Sequence, residues 1–305
     1  MKIAKDTAAT QRCGFIAIIG EPNAGKSTLI NRLVGGKVSI VTPKVQTTRF
    51  NIRGVCAEGH TQMVFVDTPG IFAAERNFEK AMVQAAWAGV GDADAVLLLC
   101  DARQGQKGHF SQLIEKLKEN VKKRVFLALN KVDLVEKTTL FGLAKTCDAQ
   151  GRFERIFMIS ALKGDGVEDV KTHLAQAMPE GAWLYPEDQM SDISLRLLAA
   201  EVTREKLFLK LEQELPYAIF VETETWEEEE TSVRVSQVIT VQREGQKKIV
   251  IGDKGAMIKS VGISARKELE KLLEKHVHLA LFVKVRPGWK DDAESYRLLG
   301  LEYRK

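Results

Sequence analysis

Residues 15–28 read Phe-Ile-Ala-Ile-Ile-Gly-Glu-Pro-Asn-Ala-Gly-Lys-Ser-Thr. Five consecutive apolar residues, Phe15 to Ile19, run straight into G-x-x-x-x-G-K-S, Gly20 to Ser27, with a helix opening at Lys26. A short buried strand that turns into a helix through this pattern is a phosphate-binding P-loop. Such a loop must aim several backbone N–H groups inwards, and a helix N-terminus adds unpaired donors and the positive end of its dipole. Gly20 and Gly25 are expected to let the main chain approach phosphate without a Cβ clash. Lys26 supplies a point charge for β- and γ-phosphates, and the Ser27 hydroxyl suits Mg²⁺, which prefers oxygen ligands. Glu21, Pro22, Asn23, Ala24 and Thr28 complete the cradle. A glycine-rich turn can match by chance, but here all four fixed positions follow the right kind of strand.

Residues 15–177 alternate short apolar runs with amphipathic stretches, which reads as an α/β domain with a mostly parallel sheet. The expected strands are Phe15–Ile19, Phe50–Ala57, Gln62–Val66, Ala95–Cys100, Arg124–Leu129 and Ile156–Ile159. Ligands of such sheets bind beyond the carboxyl ends of the strands. The third strand ends in Asp67-Thr68-Pro69-Gly70. Asp67 is suited to hold Mg²⁺ beside Ser27, and the Gly70 N–H to reach a γ-phosphate. Alone, the tetrapeptide is also a good turn.

The fifth strand ends in Asn130-Lys131-Val132-Asp133. One carboxylate, Asp133, can accept from guanine N1–H and the exocyclic amine, whereas adenine offers neither donor and would leave it unpaired. Discrimination built this way is on the order of 10⁴-fold. In isolation the aspartate could be a helix N-cap. The sixth strand leads to Ser160-Ala161, whose backbone can meet guanine O6. The polar loop Gly35–Phe50, with Thr42-Pro-Lys-Val-Gln-Thr-Thr-Arg49, is either disordered or functional. As a first switch it would place a threonine hydroxyl on Mg²⁺ and the same residue's N–H on the γ-phosphate. Loss of that phosphate would release this loop and a second switch from Thr68 to about Lys80.

The chain has 305 residues, 45% apolar and 28% charged, enough for two domains. Its net charge of +4 is too small to imply polyanion binding by itself, but residues 247–271 hold seven Lys or Arg against three Asp or Glu. Cys13, Cys56, Cys100 and Cys147 are scattered without metal-ligand spacing, the pattern of reduced thiols in a cytoplasmic protein. Residues 1–14 form a tail without the apolar core of a signal peptide, and no apolar run approaches a membrane span.

Residues 178–193, with two prolines and a glycine, form a linker with aromatic anchors that should pack. From 194 to 305 a smaller α+β unit follows. Leu195–Leu211 is helical in period, Tyr217–Val221 and Ser232–Gln242 alternate like strands, and Glu227–Glu230 reads as a solvated hairpin tip. Two helices and a last strand, Val277–Val285, complete the type II KH order. Gly252-Asp253-Lys254-Gly255 fits the G-x-x-G loop of that fold. Lys247, Lys248, Lys254 and Lys259 would neutralise phosphate, and Ile249, Ile251, Ile258 and Ile263 could floor a groove for unstacked bases. Asp253 faces phosphate with the wrong charge unless it caps the next helix.

Together these residues resemble the bacterial Era GTPase family from Cys13 to Leu301. The resemblance rests on Gly20–Ser27, Gln46-Thr-Thr-Arg49, Asp67–Gly70, Asn130–Asp133 and the run Arg243–Gly255. It implies a Mg²⁺-dependent GTPase, hydrolysing GTP to GDP, that acts as a monomer in ribosome assembly. Its KH domain would bind the 3′ end of 16S ribosomal RNA in the immature 30S subunit, with the nucleotide gating that contact. Peripheral contact with the inner membrane comes with the family, although no feature of this sequence indicates it.

By analogy with related GTPases, Thr48 rather than Thr47 is the switch threonine, because it directly precedes an arginine. Ras-like enzymes carry a water-orienting glutamine where this chain has Ile71. Slow intrinsic hydrolysis is therefore expected, with Lys26, Thr48 and Gly70 acting by positioning, and with Asn23 matching the asparagine that helps hold K⁺ in related GTPases. Two other classes remain open. An RNA chaperone with a structural nucleotide would show RNA affinity independent of nucleotide. A GTPase that modifies transfer RNA would need a cysteine motif or cofactor loop that is not visible here.

Overall fold

The computed structural model describes residues 10–72, 74–105 and 110–303, so most of the expected tail at 1–14 lies outside the described residues. Strand β1 (Arg12–Gly20) begins three residues before the expected Phe15. It is followed by α1 (Lys26–Val34), β2 (Ile52–Glu58), β3 (Thr61–Asp67), α2 (Asn77–Asp92) and β4 (Ala95–Asp101). Then come α3 (Phe110–Asn120), β5 (Arg124–Asn130), α4 (Lys137–Gln150), β6 (Ile156–Ile159) and α5 (Val167–Ala177). The sheet order is β2-β3-β1-β4-β5-β6, and only β2 runs antiparallel to its neighbour.

Strands β3 and β4 are buried along their whole length, because helices cover both faces of the sheet. One core packs α1 and α5 through Leu29, Ile30, Val170 and Leu174. The other packs α2 and α3, the latter through Phe110, Leu113, Ile114 and Leu117 at helical spacing. This arrangement brings the carboxyl ends of β1, β3, β5 and β6 to one rim, where the motif loops converge.

Residues 178–193 lie against the sheet. Cys13 N–H donates to the Pro179 carbonyl at 3.1 Å and Val55 N–H to the Met190 carbonyl at 2.8 Å. The second unit comprises α6 (Leu195–Lys210), β7 (Phe220–Glu228), β8 (Ser232–Val241), α7 (Glu244–Ile251), α8 (Ala256–Leu273), β9 (His276–Val285) and α9 (Ala293–Leu298). Strand β8 pairs antiparallel with β7 and parallel with β9, which leaves β9 as an edge.

The expected strand Tyr217–Val221 is displaced. Pro216 opens a 3-10 turn through Ala218, and β7 begins only at Phe220. Consequently Glu227 and Glu228 belong to the strand, and the hairpin tip shortens to residues 229–231. Phe50, expected at the start of β2, instead joins Phe78, Phe220, Trp289 and Tyr296 in a core shared by the two units.

Candidate nucleotide site and nucleic-acid groove

A cleft of about 370 Å³ opens at the rim of the large sheet, lined by Pro22, Asn23, Gly25, Lys26, Ser27 and Thr28 from the P-loop. Thr42, Gln46, Thr47 and Thr48 line its other side, with Gly70 and Lys131. Gly25 takes φ +100°, and a Cβ there would stand 2.3 Å from Asn130 Nδ2. The glycine is thus required by its protein neighbour as much as by phosphate. Asn130 donates to the Ala24 carbonyl at 2.7 Å and accepts from Ala161 N–H at 2.9 Å. It braces the P-loop against the loop after β6. Lys131 likewise donates to the Asn23 carbonyl at 2.6 Å and to Asp101 at 2.7 Å. Asp133 stands beside Ser160, whose hydrogen bond holds its carboxyl below the ordinary range, with Lys163 3.5 Å away.

Lys26 Nζ donates to the Gly20 and Glu21 carbonyls, and burial pulls its pKa down to about 8 despite Asp67 and Glu21 nearby. Glu21, at the first turn of the loop, carries one of those carbonyls.

The three residues expected at a metal, Ser27, Thr48 and Asp67, bring their oxygens together. Ser27 Oγ donates to Asp67 Oδ2 at 2.7 Å and lies 3.0 Å from Thr48 Oγ1. Ser39 Oγ, which sequence reasoning did not single out, reaches the same Oδ2 at 2.7 Å. Asp67 Oδ1 is buried with no hydrogen-bond partner among the described residues. An orphaned carboxylate oxygen beside two hydroxyls is the hard donor set that a small divalent cation such as Mg²⁺ takes. Burial raises the Asp67 pKa, and the hydroxyls and Lys26 oppose that rise.

The two candidate threonines separate cleanly. Thr47 Oγ1 is occupied by Thr42 Oγ1 at 2.6 Å and the Lys44 carbonyl at 2.7 Å, whereas Thr48 faces Ser27 and Asp67. Asn23 Nδ2 donates to the Pro43 carbonyl at 2.9 Å, joining the P-loop to residues 42–48. Ile71 is buried in the core with Ala17 and Ile19, so its side chain faces away from the cleft. Asp101, Arg103 and Gln104 were also missed. The last two line the cleft, and Asp101 pairs with Arg103 and Lys131. No motif marks them, because only the strand order brings β4 beside β1 and β5.

The loop 35–50 is also bound to the second unit. Val41 N–H donates to Glu205 Oε1 at 2.9 Å, and Arg204 Nη2 donates to the Thr47 carbonyl at 2.5 Å. Lys44 Nζ reaches the carbonyls of Phe208 and Leu211. Arg49, 1% exposed, donates to the carbonyls of Ile219, Pro216 and Tyr217, and sits 5.6 to 6.0 Å from the ring centres of Phe78, Phe208 and Trp289.

The second concavity, about 670 Å³, lies between α8 and the β9 edge. Ile258, Lys259, Gly262, Ile263 and Arg266 face Arg234, His278 and Leu281 across it. Gly252 takes φ 76° and ψ 174°, and a Cβ there would meet Met257 N at 2.8 Å, so only glycine turns this corner. Gly255 and Lys254 follow in left-handed conformations, and the loop 252–255 ends at the helix that forms one wall of the groove. Asp253 and Lys254 are exposed, and Asp253 makes no side-chain cap.

Lys247, Lys248 and Ile251 lie on α7 before the loop rather than on the groove walls. Ile249, expected in the floor, points to solvent, because Val250 is the residue of α7 that packs inwards. Arg234 and His278 were missed, since strand pairing and not chain order brings them to Lys259; Arg266, two turns after Lys259 on α8, was missed although helical period places it on the same face.

A P-loop GTPase domain coupled to a type II KH domain is the class this fold and its two concavities define. The profile of 50S ribosome-binding GTPases matches residues 15–131, and that of KH domains matches residues 214–290. GTPase Era of Rhizobium meliloti (strain 1021) is 56% identical over 99% of this chain and 97% of its own length. GTPase Era of Brucella suis biovar 1 (strain 1330) is 55% identical over 98% and 96%. Two solved structures superpose with a TM-score of 0.91 at 36% identity, covering 95% of this chain and 99% of theirs. One is Era in complex with MgGDPNP and nucleotides 1506–1542 of 16S ribosomal RNA, the other a variant of Aquifex aeolicus Era bound to GDP and AlF4⁻. The chain belongs to the Era family of GTPases.

Proposed function

We propose that this GTPase uses its nucleotide state to gate the grip of its KH groove on the 3′ end of 16S ribosomal RNA during 30S subunit maturation. The observation that carries the gating is the set of hydrogen bonds from α6 to the loop 41–49, since that loop cannot leave the phosphate side of the cleft without breaking them. By linkage, whatever RNA does to nucleotide affinity, nucleotide does to RNA affinity.

In this reading Gly20–Thr28 cradle the phosphates, Lys26 supplies positive charge, and Asp133 with Ser160 and Ala161 selects guanine. Ser27, Thr48 and Asp67 would hold Mg²⁺, which supplies charge neutralisation at the β- and γ-phosphates. No side chain reaches from position 71 to orient water, so the chain's residues act by positioning and electrostatics. Asn23 is the residue proposed to help hold K⁺; hydrolysis rates that match in Na⁺ and K⁺ would remove that role. Ile258 and Ile263 offer apolar surface to unstacked bases, while Lys254 and Lys259 meet phosphates. The working species is taken as a cytoplasmic monomer. No helix among the described residues is long and apolar enough to cross a membrane. Peripheral membrane contact would therefore be a surface property, which vesicle flotation tests.

The test is the affinity of the full chain for a single-stranded RNA carrying the 16S 3′ end, with a non-hydrolysable GTP analogue and with GDP. Tighter binding with the analogue is expected. Equal affinities would favour an RNA chaperone whose nucleotide is structural.

A further inference from the structure

We infer that Arg204, a residue of the KH domain, is a positioning residue for the GTPase reaction: it holds the peptide unit between Thr47 and Thr48 so that the Thr48 N–H faces the nucleotide. The inference rests on the reading of Thr48 as the switch threonine and adds a second-domain residue to that site. Its geometry starts from the peptide plane. In a trans peptide the carbonyl and the following N–H point in opposite directions. Arg204 Nη2 donates to the Thr47 carbonyl at 2.5 Å from the α6 side, so the Thr48 N–H is directed away from α6. The residue stands against the P-loop, with Thr48 Oγ1 3.0 Å from Ser27 Oγ.

The anchor is rigid. Arg204 is 1% exposed, its guanidinium lies 5.0 Å from the Phe208 ring centre, and its Nε donates to Glu201 Oε1 at 2.7 Å. Glu201 is itself 4% exposed. A planar guanidinium held by a carboxylate on one side has its remaining donors fixed in direction, unlike a lysine ammonium on a flexible stem. A charged donor also polarises the peptide it binds, which strengthens the N–H at the other end. Arg49, the next residue, is itself held by three KH-domain carbonyls, so Thr48 is anchored at both of its neighbours in the chain.

The consequence is selective. GDP has no γ-phosphate for the Thr48 N–H to meet, so Arg204 should contribute to binding of a triphosphate and to turnover, and little to GDP. Arg204→Lys keeps a cation beside Glu201 but loses the fork. In the full chain without RNA, we expect kcat for GTP to fall on the order of tenfold or more. Affinity for a non-hydrolysable analogue should weaken several-fold, with GDP affinity within about twofold of the parent. Equal losses for analogue and GDP, or no loss in kcat, would overturn the inference.

The pair Glu201→Gln with Arg204→Met removes both buried charges together and should give the same split. A third measurement needs no variant. Amide hydrogen exchange of the unmodified chain should show 41–49 and 201–211 gaining protection together when analogue replaces GDP, and protection confined to 41–49 would count against Arg204. None of these readouts involves RNA, so they can fail while nucleotide gating of RNA stands, and the reverse.

Discussion

At the residue scale, the strand-to-helix P-loop and the nearness of Asp67 to Ser27 were legible because fixed spacing places them, and Asp133 is proposed from the same kind of pattern as the group that selects guanine. Asp133→Asn replaces an acceptor by an amide that faces guanine with a donor. GTP affinity is expected to fall by about 10³-fold or more, measured by displacement of a fluorescent guanine nucleotide. Lys26 gives a pH-dependent expectation. Its folded pKa is about 8 against an ordinary 10.5, so between those values the unfolded chain binds a proton that the folded chain lacks. Stability of nucleotide-free protein therefore rises with pH across that window, and the burial penalty is fully present below about pH 8. Lys26→Met should abolish nucleotide binding. It should also stabilise the nucleotide-free fold at pH 7 by about 1–3 kcal/mol after loss of the two carbonyl contacts, a gain that shrinks towards pH 10.5, as urea melts at both pH values would show. Ser39 and Arg204 were illegible, since nothing local distinguishes a buried serine or a helix arginine until the fold sets each against Asp67 and Thr47.

At the element scale, α6 was read as a helix from its period although it is buried all round from Ala199 to Glu205, whereas α3 and α8 each bury one stripe. Strand β7 could not be read from its period. It mixes an inward stripe with Glu222, Glu224 and Glu227, and a bulge between Thr223 and Thr225 breaks the alternation that marks a strand. The groove was legible only in its α8 wall, because its β9 wall depends on which strand lies at the edge. Four cations, Arg234, Lys254, Lys259 and Arg266, stand along it or at its mouth. If all four meet phosphate, the logarithm of RNA affinity should fall against the logarithm of salt with a slope of about −3, and Arg266→Gln should flatten it by about 0.7. Filter binding across a salt series measures both. Gly252→Ala forces a side chain into a conformation open only to glycine and against Met257. A loss of about 1–3 kcal/mol in stability is expected, with weakened RNA binding and unaltered GTP turnover.

At the scale of the whole molecule, two domains were evident from the switch in pattern after the linker, but not that they share a core. Trp289, wholly buried, donates its indole N–H to the Ala218 carbonyl at 3.0 Å and packs edge-on against Phe78 of the nucleotide domain. Trp289→Ala should cost about 3–5 kcal/mol and divide a single calorimetric transition into two. A further consequence follows from the three neighbours Thr48, Arg49 and Phe50, which are 7, 1 and 6% exposed. The first is committed to the hydroxyl cluster at Asp67, and the next two to Phe78 and Trp289 between the domains. Such a run has a fixed phase, like a word that survives a changed letter but not an added one. One glycine inserted between Thr48 and Arg49 would put all three out of step.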